Sequence, residues 1–201
     1  MNYDLLMKEE ISKFDGKKTL LLHSCCGPCS SYVISYLTNY FDITVIYYNP
    51  SIEPEEEYEK RKKEQIKFIK NFKTTNKLDF MESDYDNDKY RKLIKGLEEE
   101  KEGRGRCLVC FRQRIDKVSK VASLNNYDYY ATTLTVSPHK NSKIINEIGL
   151  SIESTSKFLV SDFKKNAGYL KSIELAKEYE LYRQDYCGCL FSKRNMQENN
   201  K

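Results

Sequence analysis

The fold is decided by residues 19–30, which read TLLLHSCCGPCS. A short apolar run opens this stretch and stops at a polar loop that holds three cysteines, a glycine and a proline. Helix-like spacing of Val33, Ile34 and Leu37 follows the loop. The stretch therefore predicts a buried strand, a tight loop that presents thiols, and a helix.

The same alternation continues along the chain. Strand and helix pairs are predicted at residues 43–48 and 53–72, at 78–81 and 88–100, and at 127–135 and 139–148, with one more helix at 107–124. Strands that alternate with helices are joined by right-handed crossovers into a mostly parallel sheet, whose reactive loops lie beyond the carboxyl ends of the strands. We therefore predict an α/β fold of the Rossmann-like or HUP-like type, with flanking helices and with the thiol loop at the carboxyl edge of the sheet.

The last part of the chain, residues 158–194, lacks a clear further strand. It offers a helix at about 169–182 and then a polar, cysteine-rich stretch at 185–192. We interpret residues 158–194 as a helical, cysteine-containing cap over a metal site. A length of 201 residues without a repeat or a low-complexity linker favours a single domain over residues 1–201.

The sequence also limits where the protein works. Its apolar runs are far shorter than the roughly 20 residues that span a bilayer. Charges such as Asp4, Lys8 and Glu10 are incompatible with the apolar centre of a secretory signal. We therefore expect a cytoplasmic protein with no membrane partner. The formal net charge of +4 is too small to identify a polyanionic partner by itself.

All seven cysteines fall into three short motifs, which are Cys25-Cys26-x-x-Cys29, Cys107-x-x-Cys110 and Cys187-x-Cys189. Because cytosolic thiols are kept reduced, such clusters indicate metal binding or redox chemistry rather than disulfide bonds. A structural zinc site needs four ligands, which two Cys-x-x-Cys pairs can supply. The surplus of cysteines, and the place of the first motif at a sheet edge, favour an iron–sulfur centre over zinc.

An iron–sulfur cluster with three or four thiolate ligands leaves further cysteines for a second task. That task is either a redox-active thiol pair or a neighbouring iron site completed by a carboxylate. The candidate carboxylates are Asp185 and Asp84, although Asp84 is equally well explained as a helix cap or a solvated turn residue. His23 and His139 can act as acid, base or ligand, but a histidine at a strand end is more often a hydrogen-bonded support residue.

Basic and aromatic residues interleave in the C-terminal part of the chain. The basic ones are Lys140, Lys143, Lys164, Lys165, Lys171, Arg183, Lys193 and Arg194, and the aromatic ones are Tyr169, Tyr182, Tyr186 and Phe191. This pattern suits an RNA-binding face, on which cations meet phosphates and rings stack on unpaired bases. Solvated helix faces show the same pattern.

With these motifs, the sequence resembles the epoxyqueuosine reductase QueH family over nearly its whole length. The matching motifs are LHSCCGPCS at 22–30, YNP at 48–50, RCLVCFRQR at 106–114, TTLTVSPHK at 132–140, DFKK at 162–165 and YRQDYCGC at 182–189. The resemblance implies a two-electron removal of the epoxide oxygen from epoxyqueuosine in the anticodon loop of tRNA, which gives queuosine without cobalamin. It also implies a 4Fe-4S cluster, a nearby iron ion that binds the oxygen as a Lewis acid, and an electron donor such as a ferredoxin or a flavodoxin.

The resemblance implies site residues as well, and all seven cysteines are candidate cofactor ligands, with Asp185 and Asp84 as further candidate metal ligands. The residues that we assign chiefly to the cluster are Cys26, Cys29, Cys107 and Cys110. Those that we assign chiefly to the second iron or a redox pair are Cys25, Cys187, Cys189 and Asp185. Catalytic roles are predicted for this second set and for His23. Spacing alone leaves the partition open, because ligands distant in sequence can be adjacent in the fold.

Two alternatives stay open. An iron–sulfur enzyme that transfers sulfur to tRNA needs ATP, and neither a G-x-x-x-x-G-K-[ST] nor a G-x-G-x-x-G phosphate loop occurs in the sequence. A zinc-stabilised RNA-binding module predicts a colourless protein that contains zinc and has no reductase activity.

Overall fold

The core of the molecule is one sheet of five parallel strands. The computed structural model describes residues 1–199, except for the side chains at positions 195, 196, 198 and 199. The strands are β1 (Lys18–His23), β2 (Phe41–Ile46), β3 (Leu78–Met81), β4 (Tyr129–Thr132) and β5 (Lys157–Phe158). Their order in the sheet is β3-β2-β1-β4-β5.

Helices surround this sheet. They are α1 (Tyr3–Ile11), α2 (Gly27–Leu37), α3 (Glu55–Asn71), α4 (Asn87–Leu93), α5 (Gly105–Leu124), α6 (Ser142–Leu150), α7 (Gly168–Glu178) and α8 (Leu190–Asn199), with a short 3-10 helix at Thr133–Val136. The chain builds outward from β1 to β3 and then returns to the other side of β1 with β4 and β5. The loops after β1 and β4 therefore diverge, and such a switch point opens a crevice at the carboxyl edge of the sheet.

The central strand β1 is buried on both of its faces. Leu20 and Leu22 pack into a core that includes residues of α2 and α3, whereas Leu21 packs into a second core with residues of α5. Side chains alternate between the faces of a strand, so a strand covered on both faces carries a continuous apolar run. Burial of each leucine stabilises the fold by about 1.5–3 kcal/mol.

The predicted α/β architecture, with a parallel sheet and flanking helices, is confirmed, but two predicted elements are too long. The strand predicted at 127–135 ends at Thr132, whose hydroxyl accepts a hydrogen bond from the Leu134 N–H and caps the 3-10 helix that follows. The helix predicted at 88–100 is wrong beyond Leu93. Gly96 and Gly103 have positive φ angles, which interrupt a helical backbone in this segment.

Three short elements are absent from the sequence-based prediction. β5 pairs with β4 through Lys157 and Phe158 only, which is too short for any periodicity to reveal, so the expectation of no further strand is wrong. α1 is the second unpredicted element, and Asn2 caps its start with a side chain that accepts a hydrogen bond from the Leu5 N–H. α8 begins within the polar, cysteine-rich stretch at 185–192, for which no separate helix is predicted.

The predicted C-terminal cap is present only in part. α7 packs against α2 in the helix layer of the sheet, and a Cβ at Gly168 would lie 2.4 Å from the ring of Tyr32. Tyr169 at the start of α7 and the segment after α7 line the cavity that holds Cys25, Cys29 and Cys187. No helix within the described residues is long and apolar enough to cross a membrane.

Candidate metal centre

Three thiols lie together where the loop after β1 runs into the first turn of α2. The sulfurs of Cys25, Cys26 and Cys29 lie within 4.8 Å of one another, and we call these residues the thiol triad. The Cys25 and Cys26 sulfurs are 4.0 Å apart. Cys26 occupies the N-cap position of α2, and Pro28 fits the first turn because a helix leaves the N–H groups there unpaired. The helix start therefore places Cys29 of the first turn beside the two thiols that precede the helix.

The loop of the triad is tied to α3 from both sides. Gln65 Oε1 accepts hydrogen bonds from Ser24 Oγ at 2.5 Å and from Ser30 Oγ at 2.6 Å. Gly27 permits this approach, because a Cβ there would lie 3.2 Å from the Glu64 carbonyl oxygen. One buried side chain thus holds both ends of the loop in place.

The three thiols of the triad do not titrate independently. Hydrogen bonds from Cys26 and Cys29 hold the pKa of Cys25 well below its usual value, with smaller contributions from Lys140 and Thr133. The pKa of Cys26 is raised to about 12, chiefly by its hydrogen bond with Cys25, and the pKa of Cys29 is raised chiefly by its own hydrogen bond with Cys25. The triad therefore favours the thiolate form, which is the form that binds metals, at Cys25 over its two neighbours.

Polar side chains at the ends of β1 and β4 support the triad. The Thr133 hydroxyl accepts from the Cys25 N–H at 3.2 Å and donates to Cys25 Sγ at 3.4 Å. The buried His23 has Nδ1 2.9 Å from Thr132 Oγ1 and Nε2 3.0 Å from the Tyr48 carbonyl oxygen. A carbonyl oxygen only accepts, so Nε2 carries the hydrogen. Burial lowers the pKa of His23 to about 4, and both ring nitrogens are engaged, so this ring is neutral and supports the loop.

The other four cysteines surround a separate small cavity of about 30 Å³. They are Cys107, Cys110, Cys187 and Cys189, and we call them the second thiol group. The first two lie one turn apart at the start of α5, and the last two flank Gly188, whose φ of 128° favours glycine. Among the described residues, only the triad brings three candidate ligand atoms within 4.8 Å. The sulfurs of the second thiol group are therefore farther apart than those of the triad.

Two cations lie between the thiol groups. The Arg114 side chain is 2% exposed, donates to Ser51 Oγ, and has no hydrogen-bond partner for its Nε among the described residues. Burial acts to lower the pKa of Arg114, but the cysteine sulfurs, Cys110 first, raise it overall. The pKa of the half-buried Lys140 is raised against burial in the same way, chiefly by Cys187. Both residues stay cationic and offset the charge of nearby thiolates.

A larger cavity of about 680 Å³ adjoins both thiol groups. Cys25, Cys29 and Cys187 contribute to its lining. Asp185 lines the same cavity, so the structure brings this predicted carboxylate beside the thiols. The basic and aromatic side chains in its lining are Arg114, His139, Lys140, Tyr169, Arg183 and Tyr186.

Asp84 and Lys164 are placed differently from what their predicted roles require. The Asp84 carboxylate is 81% exposed, lies 3.8 Å from Lys117 Nζ, and lines neither thiol cavity. Lys164 Nζ lies 2.9 Å from Asp162 and 3.4 Å from the Lys140 carbonyl oxygen. Lys164 therefore supports the loop that carries Lys140.

A buried arginine outside the predicted set holds the C-terminal segment. Arg61 is 1% exposed on α3, and its Nε lies 2.7 Å from Glu57 Oε1. Its Nη1 donates to the Cys187 carbonyl oxygen at 3.2 Å, and the guanidinium lies 4.9 Å from the ring centroid of Tyr186. The charged stretch at 53–64 favours a solvated helix face over the alternative in which Tyr58 and Arg61 reach the loop beyond β2. Arg61 is instead buried against the C-terminal segment.

The structure groups the cysteines by motif, unlike the sequence-based partition. That partition joins the last two cysteines of the first motif with Cys107 and Cys110. In the structure the first motif stays together as the triad, and Cys107 and Cys110 share a cavity with Cys187 and Cys189. Cys187 and Cys189 are far from α5 in sequence and lie near it only in the folded chain. The spacing of cysteines along the sequence therefore could not predict this grouping.

The donor set fits iron–sulfur chemistry. All seven cysteines are free thiols, and thiolates are the usual protein ligands of such clusters. Metal–sulfur bonds of about 2.3 Å place the sulfurs of a tetrahedral site about 3.8 Å apart, close to the 4.0 Å between Cys25 and Cys26. The triad thus has the spacing for a single ion, and the second thiol group offers four thiols to a larger centre.

Comparison with known proteins gives one consistent result. A family model described as "Epoxyqueuosine reductase QueH" matches residues 20–195. A protein of that name from Streptococcus pyogenes serotype M1 is 44% identical over 199 residues, which cover 96% of this chain and 78% of the relative. Relatives of the same name from Staphylococcus epidermidis and Thermotoga maritima are 43% and 34% identical, covering 96% and 87% of this chain and 84% and 90% of their own lengths.

Proposed function

The chain belongs to the epoxyqueuosine reductase QueH family, and from this premise we propose how its thiol site works. It is an epoxyqueuosine reductase, an oxidoreductase of queuosine biosynthesis. The proposed substrate is epoxyqueuosine within the anticodon loop of tRNA, a substrate that favours the cytoplasm as the compartment. Two electrons and two protons convert the two C–O bonds of the epoxide into a C=C bond and water, without cobalamin.

The observation that carries this proposal is the gathering of seven thiols and two cations at the switch point of the sheet. We assign the second thiol group to a 4Fe-4S cluster, and the triad with Asp185 to an additional iron ion. When bound, these groups supply low-potential electrons and a Lewis acid for the epoxide oxygen. Structural zinc would need only four of the seven thiols.

The protein's own side chains have separate tasks in this proposal. Arg114 and Lys140 offset the charge of the thiolates, so that electrons enter the site at a smaller electrostatic cost. His23, Thr132 and Thr133 hold the triad loop in one conformation. This division of tasks assigns His23 a positioning role instead of a proton-transfer role.

The lining of the larger cavity supports a tRNA-binding role for its mouth. The Arg183 guanidinium lies 5.3 Å from the ring centroid of Tyr169, and Lys193 Nζ lies 5.6 Å from that of Tyr186. Cations beside aromatic rings suit an unpaired base with its flanking phosphates. An extruded base entering between these residues would approach the triad through the cavity.

The test begins with anaerobic reconstitution with iron and sulfide, followed by dithionite and tRNA that contains epoxyqueuosine. We expect brown protein, and queuosine among the nucleosides after digestion. Asp185→Asn should abolish product formation, and the matched Asp84→Asn variant should keep it, because Asp84 is exposed and outside the cavity. A colourless zinc protein, or a reconstituted cluster with no product, would refute the proposal.

A further inference from the structure

A groove that the reaction does not use lies between α4, α5 and α6. It encloses about 870 Å³, and its floor is apolar, formed by Leu93, Leu108, Val109, Ile144 and Ile148. Leu93 is 48% exposed and Leu108 is 37% exposed. Exposed leucines that share one groove indicate a docking surface more strongly than scattered ones do.

The rim of this groove is predominantly basic. Its basic side chains are Lys89, Arg112, Lys117 and Lys120, and its acidic side chains are Asp116 and Glu147. The two acids are balanced, since Asp116 lies 2.7 Å from Lys120 and Glu147 lies 3.8 Å from Lys143 outside the groove. Asp84 likewise lies 3.8 Å from Lys117, so the positive charge that remains on the rim belongs to Lys89 and Arg112 and complements an acidic partner.

The groove lies directly against the second thiol group. Leu108 and Val109 occupy the two positions between Cys107 and Cys110 on α5. Val109 lines the groove and also packs against the cluster of buried residues that contains Cys189 and Cys110. A single layer of side chains therefore separates the groove floor from the thiols assigned to the cluster.

The larger cavity and the groove differ in the ligand that they suit. Tyr169, Tyr186 and Arg183 in the cavity lining offer rings and a cation to RNA. In the groove lining, the one aromatic residue is Tyr48, which is 1% exposed and cannot stack on a base. An apolar floor with a basic rim suits an acidic protein better than a nucleic acid.

We propose that this groove docks a small acidic electron-transfer protein, with an iron–sulfur or flavin group, that delivers electrons through α5 to the second thiol group. The inference rests on the proposed function, which needs a reductant. Per turnover the donor is oxidised by two electrons in total, and the epoxide oxygen leaves as water with two protons from solvent. Substrate and donor then approach from different surfaces and need not displace each other.

The test compares two donors and two kinds of variant in the reconstituted full-length enzyme. The charge variant combines Lys89→Glu with Arg112→Glu, the floor variant is Leu93→Ser, and Lys73→Glu is the matched control, because Lys73 is exposed near the amino end of β3. Turnover is measured with dithionite and with a reduced bacterial flavodoxin or ferredoxin. Binding of the same donors is measured by calorimetry without tRNA.

We expect the charge variant to raise the KM for the protein donor about tenfold at low salt, with a smaller effect at high salt. The floor variant should weaken donor binding, while dithionite turnover and tRNA affinity stay within about twofold of the parent in all variants. Donor binding that is absent in the parent, or unchanged in both groove variants, would overturn the inference. Weakened tRNA binding instead would identify the groove as an RNA surface. Loss of dithionite turnover in the parent would count against the proposed function alone, because donor binding is measured separately.

Discussion

Replacing Arg61 with methionine tests whether α3 holds the second thiol group in place. The variant loses a charged hydrogen bond to the Cys187 carbonyl, worth about 1.5–3 kcal/mol, and a cation–π contact with Tyr186, worth about 1 kcal/mol. It also removes the partner of Glu57, whose side chain is 13% exposed and keeps a hydrogen bond from the Tyr182 hydroxyl at 3.2 Å. Partial hydration of Glu57 keeps that part of the cost well below the 3–5 kcal/mol of a fully buried broken pair.

The expected sum is about 3 kcal/mol after the apolar packing of the new side chain is counted. For a chain of this size, that change lowers the melting temperature by about 6–12 °C. Thermal unfolding followed by circular dichroism on metal-free protein measures it, and iron per chain after reconstitution should also fall. The double variant with Glu57→Gln should lose less than the sum of the single variants. A melting temperature within 2 °C of the parent, with full iron content, would refute the reasoning.

Three further changes have definite expected outcomes. Cys107→Ala should bleach the cluster absorbance and lower bound iron, whereas full absorbance would remove Cys107 from the ligand set. Glu10→Gln should flatten the acid dependence of stability, because a hydrogen bond from Lys157 lowers the Glu10 pKa to about 2 from 4.5. The contribution of Glu10 to the free energy of unfolding is complete above pH 4.5 and fades as the pH falls towards 2. The free energies of urea unfolding at pH 3 and pH 7 should therefore differ less in the variant than in the parent. Gly168→Ala should destabilise the fold by at least about 2 kcal/mol, because the added Cβ would lie 1.9 Å from the Phe163 carbonyl oxygen; an unchanged denaturant midpoint would show that α7 shifts freely.

The sheet was predictable because its strands carry their own local signals. The run at Leu20, Leu21 and Leu22 reports burial on both faces, and the Cys-Cys-Gly-Pro-Cys loop reports where that strand stops. β5 carries no such signal, because two residues define no period. Its pairing with β4 comes from the fold as a whole.

The site was predictable in its residue types but not in its grouping. Cysteine and Asp185 stand out by chemistry, and the structure places them around adjoining cavities. Arg61 and Arg114 do not stand out, because their burial depends on contacts with segments over a hundred or about sixty residues away in sequence. Long-range contacts of this kind leave no mark in local patterning.

The triad and the second thiol group differ in when a growing chain can make them. The triad lies directly after the first strand, whereas Cys187 and Cys189 follow the last strand of the sheet. During synthesis from the amino end, the parallel sheet and the triad can assemble while half of the second thiol group has yet to be made. A centre that needs all four thiols of the second thiol group can therefore close only after Cys187 and Cys189 are made, whereas the triad is complete long before.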